Sequence, residues 1–556
     1  MIKISLISVA AFLVLSETSM TAKEVSGAIP ANVTWFAAES PYVVSGTIIV
    51  QTNVTLTIEP GTTVQLGGNV DLVVTNGGRL LAEGTADKRI HFTRTPNSSE
   101  RWAGIVISGD EDSPETRISH AYIEGNNYSA IYSPGGTLAI DHVVFGTPDR
   151  QYLSLDESSF LISDCHFPTT SGAFEMIHGT RGIKLGGRAI VQRCFFGPTR
   201  GYNDIIDFRG GNRDRNQPII QFYNNVFTGA SDDMLDLDGT DAWIEGNIFL
   251  HAHRNGAPDT SSAISGGNHR RYTSQVTIIG NLFYDCDHAA TAKEGNFFTL
   301  INNTIVHMTK TGGVDSGDGA LCIRDLEPSP TDYAEGAYLE GNIILDVQQL
   351  VRNYDKKETK VTLINNIVPL AWDGPGQSNI VADPKLKHIP QPGETHFTSW
   401  AQAQIVRDWF SPLPGSLAVG SGPNGRDKGG VIPLGASVSG EPKGTTTETS
   451  ATLIVGVNRR GPDIPEIGWP DGAGYTHYKW RLDGGRWSDE TPIQRPISLS
   501  ALTEGPHSVE VIGKRDSGLY QNDPSLGADA IITRSRAWTV KRLPRSETRQ
   551  LTEKRL

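Results

Sequence analysis

A five-residue phrase returns six times through the middle of this chain, and it restricts the fold more than any other feature. It reads Tyr223-Asn224-Asn225-Val226-Phe227, Glu245-Gly246-Asn247-Ile248-Phe249 and Ile279-Gly280-Asn281-Leu282-Phe283. It returns as Ile301-Asn302-Asn303-Thr304-Ile305, Glu340-Gly341-Asn342-Ile343-Ile344 and Ile364-Asn365-Asn366-Ile367-Val368. The central Asn falls at 225, 247, 281, 303, 342 and 366, so the gaps are 22, 34, 22, 39 and 24 residues. A strand-like phrase at a solenoid period marks coils stacked on one another. The uneven gaps predict long loops on some coils and almost none on others, and loops erupting from a regular stack commonly build its binding face. Weaker copies lie upstream: Arg193-Cys194-Phe195-Phe196, Asp164-Cys165-His166-Phe167 and Asp141-His142-Val143-Val144. In parallel coils the backbone is satisfied by the coil above and below, about 4.8 Å away. An Asn at a fixed inward turn then stacks on the next Asn, so these six side chains read as a structural ladder.

Composition agrees with a turn-dense all-β protein: the 556 residues include 60 Gly and 31 Pro. With 49 basic and 62 acidic residues the net charge is −13, which argues against a general nucleic-acid binder. Residues 1–22 have the form of a secretory signal, with Lys3, an apolar run from Ile4 to Leu15 and small residues to Ala22. No other segment is apolar enough to span a membrane. The expectation is an exported monomer, extracellular or periplasmic. The four cysteines have no CxxC spacing, so a zinc site of that type is not expected. Cys165 and Cys194 share the ladder slot, where stacked coils bring Cα atoms within disulfide range; a disulfide and a pair of buried thiols both fit.

Residues 23–110 carry further turn-bounded strands: Ser40-Pro41-Tyr42-Val43-Val44, Val54-Thr55-Leu56-Thr57-Ile58-Glu59-Pro60-Gly61, Gly77-Gly78-Arg79-Leu80, Ile90-His91-Phe92-Thr93 and Trp102-Ala103-Gly104-Ile105. These closely resemble the N-terminal coils of secreted right-handed parallel β-helix proteins, the pectate-lyase-like superfamily, and the resemblance extends over roughly residues 30–435. It implies a right-handed parallel β-helix over 23–435. It implies little about activity, because that superfamily holds lyases, hydrolases and non-enzymes. Ala382-Asp383-Pro384, Pro414-Gly415-Ser416-Leu417-Ala418 and Gly422-Pro423-Asn424-Gly425 are similar to its terminal coil, with a short capping helix expected within 398–410. Residues 436–449 read as a Gly/Ser/Thr/Glu linker. Residues 450–541 read as a small β-sandwich, similar to the Ig- or fibronectin-like modules at the C-termini of exported bacterial proteins. The tail 542–556 is charged and reads as disordered.

Chemistry is expected in a second register. Ile183-Lys184-Leu185, Ile206-Asp207-Phe208-Arg209, Leu235-Asp236-Leu237-Asp238 and Ile264-Ser265 align at spacings of 23, 29 and 29 residues (184, 207, 236, 265). Apolar residues alternate with polar ones, so Lys184, Asp207, Asp236 and Ser265 form one outward column and Arg209 and Asp238 the next. Unneutralised carboxylates this close repel one another. Either Lys184 and Arg209 balance them on an ordinary solvated face, or Asp207, Asp233, Asp236 and Asp238 share Ca²⁺, which accepts several carboxylate oxygens in flexible geometry. His253, Arg254, His269, Arg271 and Arg324 fall on flanking loops, suited to an acidic polysaccharide. Lyase chemistry on such a polymer needs a cation at the uronate carboxylate and a Lys or Arg base. Lys293 is the preferred base, with Lys184 and Arg209 as further catalytic candidates.

Two other readings stand beside it. An inverting glycoside hydrolase needs two carboxylates across a sugar. Polygalacturonases are similar in fold, but here Ile177-His178-Gly179 and Arg181-Gly182-Ile183-Lys184 precede Asp232-Asp233, so the order is wrong and one Gly is missing. The third is a non-catalytic glycan-binding or adhesion solenoid, with Trp469, Trp480 and Trp487 of the C-terminal module either stacking on sugars or packing in its core.

Overall fold

The structure, a computed structural model, describes residues 22–146, 150–170, 172–210, 219–254, 261–309, 319–324, 333–422, 427–430, 436–456, 475–515, 520–524 and 532–541. The signal-like segment 1–21 and the tail 542–556 lie outside the described residues. Each coil contributes one strand to each of three parallel ladders. The first face is a 14-stranded sheet running from Val33–Trp35 to Gly376–Gln377. The second and third faces belong to one 26-stranded sheet, because the long strand Tyr42–Val50 pairs with both Thr63–Leu66 and Asp71–Val74 before the ladders separate. The chain is therefore a nearly all-β parallel β-helix.

The recurring phrase forms the corner between the first and second faces. Each residue before the ladder Asn is left-handed: Asn224 (φ 54°), Gly246 (71°), Gly280 (65°), Asn302 (50°), Gly341 (68°) and Asn365 (56°). Only Gly and Asn visit this region at low cost, which explains why that slot alternates between them. The ladder then closes on itself. Asn281 Nδ2 donates to Asn303 Oδ1 at 3.1 Å and to the Ile244 carbonyl at 2.9 Å, while its Oδ1 accepts from the backbone N–H and Nδ2 of Asn247 at 2.8 and 3.0 Å. The ladder runs one step beyond the six phrases, from Asn366 to Asn379 at 2.9 Å. Toward the N-terminus, Cys194 N–H donates to Asn225 Oδ1, and Cys165 N–H to Cys194 Sγ at 3.4 Å. Both thiols are buried and free, so the slot takes cysteine as a small apolar substitute. Inside, Phe145, Phe167, Phe196, Phe227, Phe249 and Phe283 stack one per coil, with neighbouring centroids 4.6–5.0 Å apart.

The expected end cap lies elsewhere. Helices Trp400–Ala403 and Ile405–Trp409 lie against the outer surface of the second face. There Val226, Ile248, Leu250, Leu282 and Ile343 point outward and are apolar, so the strands are hydrophobic on both sides and need a cover. Ala403, Val406 and Phe410 supply it, Trp400 Nε1 donates to the Asn224 carbonyl at 2.6 Å, and Tyr284 Oη donates to the Pro390 carbonyl at 2.8 Å. On the first face Ile190, Tyr223, Trp243, Ile279 and Ile301 form a second outward apolar cluster, also buried. The third face is left as the polar one.

Among the described residues the C-terminal module has three small sheets of three, three and four strands around Leu453, Tyr478, Val509, Val511 and Trp538. Ser437–Ser439 pairs antiparallel with Ala451–Gly456, so the segment read as a linker supplies this module's first strand. Trp480 packs against that core, Trp487 lies 4.5 Å from the Arg481 guanidinium, and Trp469 lies outside the described residues. Among the described residues no helix is long and apolar enough to cross a membrane.

Candidate functional site

Register places one outward residue per coil along the third face. Ser154, His178, Asp207, Asp236, Ser265, Thr291, Cys322 and Arg352 pair in sequence, while Ile177, Ile206, Leu235 and Ile264 pair beside them and are buried in the core. Lys184 is not in this column, contrary to the alignment from sequence; His178 holds the position below Asp207. Ile183-Lys184-Leu185 is not a strand. It follows a left-handed turn at Arg181 and Gly182, Leu185 is 80% exposed, and Lys184 Nζ donates to the Asp110 and Gly135 carbonyls at 2.6 and 3.3 Å. The correct spacing was present in the sequence: 178, 207, 236 and 265 are uniformly 29 apart.

Asp207 is fully buried and ion-paired. Arg209 Nε and Nη2 donate to its two oxygens at 3.0 and 2.5 Å, a bidentate pair. His178 Nδ1 lies 3.1 Å from Glu175 Oε2 and 3.4 Å from Asp207 Oδ2, and these partners push the imidazole up to about 9. One rung further, Asp236 has an opposite environment. Its Oδ1 is shielded from water and has no hydrogen-bond partner. Burial first, then the charge of Asp238, raises its carboxyl to about 8 against the opposing charge of Lys293. Asp238 is partly exposed, and its Oδ1 accepts from Gly267 N–H at 2.7 Å. Gly267 is needed here: a Cβ would sit 2.6 Å from Asp238 Oδ1 and 3.3 Å from Lys293 Cε.

Behind this column lies a second acidic group. Asp233 N–H donates to Asp204 Oδ1 at 3.0 Å, and Asp233 Oδ1 accepts from Ser262 N–H at 2.7 Å. Burial, then neighbouring carboxylates, raises both carboxyls well above their ordinary range. Asp232 accepts from Arg254, which is buried with its guanidinium 3.7 Å from the Tyr202 ring centroid. One carboxylate oxygen from each of Asp204, Asp232 and Asp233 lies within 4.8 Å of the other two.

The structure thus brings Asp207, Asp233, Asp236, Asp238, Arg209 and Lys293 onto one surface. Arg324 lies one rung beyond Lys293, its Nη1 bonded to Tyr333 Oη at 2.9 Å. Arg254 and His253 occupy the edge toward the second face. His253 bonds Asp287 and Asp285 at 2.9 and 3.1 Å; burial works against its charge, but the two carboxylates outweigh it and raise it to about 9. At the opposite edge His269 packs over Gly210 and Gly239, and Arg271 is exposed on the same loop. Glu175, His178, Asp204 and Asp232 complete the group and were not chosen from sequence.

Residues 27–139 match a family described as Pectate-lyase like beta helix domain. That match supports the fold and stops before Glu175, the first member of the acidic group. Comparison with curated proteins finds none that matches this chain.

Proposed function

We propose that the third face binds a polysaccharide and hydrolyses it, with Asp236 as general acid and Asp238 as the carboxylate that activates water. One observation carries this reading: burial, then the charge of Asp238 in the turn just after the strand Leu235–Asp236, raises the Asp236 carboxyl to about 8. Two titratable groups in opposed environments are the usual form of an acid/base assignment. An inverting glycosidase needs one carboxyl to protonate the leaving oxygen and a second carboxylate to activate water. In this reaction Asp236 gives its proton to the leaving oxygen as the glycosidic bond breaks. Asp238 takes a proton from water attacking the opposite side, and the anomeric centre inverts. Arg209, Lys293 and Arg324 each follow by two residues a member of the outward column (Asp207, Thr291 and Cys322) and suit carboxylates on the polymer, so an acidic polysaccharide remains the preferred substrate. The matched family's name supports a polysaccharide, and the signal-like N-terminus supports export.

β-Elimination fits these residues less well. Lys184 is off the face, Arg209 is bonded to Asp207, and Lys293 faces Asp233 and Asp236, whose charges oppose its own. A calcium-dependent variant draws on a different observation, the converging oxygens of Asp204, Asp232 and Asp233. This group keeps only Asp233 of the expected set Asp207, Asp233, Asp236 and Asp238, and both Asp207 oxygens bond Arg209. Ca²⁺ held there would favour loss of the Asp236 proton, so the two readings separate by experiment. The purified chain is incubated with neutral and uronate polymers, in calcium and in chelator. Hydrolysis yields new reducing ends without unsaturated products, in chelator as well. Unsaturated ends that require calcium would replace this reading with elimination, and binding without products would replace it with an adhesive role.

A further inference from the structure

A separate group of side chains lies on the outer corner between the first and second faces, toward the N-terminus. His120 (φ 42°) and His142 (φ 52°) occupy the left-handed slot on successive coils, the slot that Gly and Asn fill further along. Their rings stack with centroids 4.4 Å apart. Asp141 Oδ2 lies 3.0 Å from His142 Nδ1. One ligand-type atom from each of the three residues lies within 4.8 Å of the other two. The Nδ1 atoms of both histidines are shielded from water; the partner of His142 Nδ1 is Asp141, and His120 Nδ1 has no hydrogen-bond partner.

That last point sets this group apart. In the cluster of His251, His253 and Asp285 every ring nitrogen has a partner: His251 bonds Asp285 and Thr395, and His253 bonds Asp285 and Asp287. The group of Glu175, His178 and Asp207 has one imidazole, and the group of Asp204, Asp232 and Asp233 has none. Two shielded imidazole nitrogens beside one carboxylate are the donor set of a first-row divalent ion, with bonds of about 2.0–2.2 Å and a fourth position left to water. A shielded polar atom without a partner is costly, and an ion would satisfy His120 Nδ1 while sharing Asp141 with His142.

We propose that His120, His142 and Asp141 bind a zinc-class divalent cation that clips two adjacent coils together at this corner. Asp164, one rung on, is bonded twice by Arg193 and closes the column on that side. The site is independent of the third face and of any glycan chemistry there.

The test uses the full chain after chelator treatment, titrated with Zn²⁺ alone by calorimetry and followed by thermal denaturation. His120→Asn and His142→Asn are the variants, because Asn is accepted in this slot at positions 224, 302 and 365 and so keeps the backbone. Circular dichroism checks that both fold. The expected result is one Zn²⁺ per chain, a raised melting temperature, and at least a tenfold loss of affinity in each variant. Absence of stoichiometric binding, or affinity within tenfold of the parent in either variant, overturns the proposal.

Discussion

The Asn corner and the third face are both columns of one residue per coil, yet they are built on opposite principles. A primary amide carries donor and acceptor together, so Asn stacks on Asn without limit, and here the column runs unbroken from Asn225 to Asn379. A carboxylate only accepts, and two on adjacent rungs repel. The third face therefore cannot repeat. Along it the residue changes at nearly every rung, from His178 through Asp207 and Asp236 to Ser265, Thr291, Cys322 and Arg352. The self-complementary column holds the fold, whereas the changing one carries buried charge that the fold must compensate locally.

The contrast can be broken by mutation. The largest effect is expected from Asp236→Asn, which keeps shape but removes the proton donor: turnover of the polymer should fall by roughly 10²–10⁴-fold while melting temperature is kept or rises. Loss of fold instead would make Asp236 structural. At the other column Asn281→Leu strands the Ile244 carbonyl and the Asn247 amide groups, and should cost roughly 3 kcal/mol in denaturant unfolding. Asn379→Leu, at the ladder's end, should cost less, about 1 kcal/mol, because water replaces what is lost. Equal costs at both positions would show that the ladder is not a cooperative column.

The pH dependence follows from the third face. Asp236 titrates at about 8 when folded and near ~4 when unfolded, so between these values the folded state binds more protons and stability falls as pH rises. His178 and His253, raised to about 9 from ~6.5, act in the same direction above neutrality. Unfolding midpoints should therefore drop from pH 5 to pH 9, and the decline between 4 and 8 should be shallower in Asp236→Asn. A smaller test is calcium at pH 8. A rise of the midpoint that is lost in Asp233→Asn would place the ion among Asp204, Asp232 and Asp233.

The fold was legible because its marks are periodic: the Asn phrase and its left-handed neighbour recur six times, with Phe two residues on in the first three and Ile or Val in the rest. The acidic column was legible at Asp207 and Asp236, where apolar partners alternate, and Asp238 falls in the turn just after. It failed at Lys184, since Ile183-Lys184-Leu185 imitates that alternation one turn away from the true strand, Ile177–Thr180. Asp204 and Asp232 were missed because they lie just before their strands, where no alternation marks direction. The cover on the second face was hidden for another reason: a strand that is apolar on both sides shows that something packs there, not which segment does.

The central claim is that Asp236 keeps a proton at neutral pH one rung from Asp207, which Arg209 bonds at both oxygens. Carboxyl carbon NMR of selectively labelled Asp, assigned with Asp236→Asn and recorded from pH 3 to 10, measures it directly. The account predicts a midpoint for Asp236 near 8. A midpoint near ~4, the value of an ordinary solvated carboxyl, would contradict it and remove the general acid from the third face.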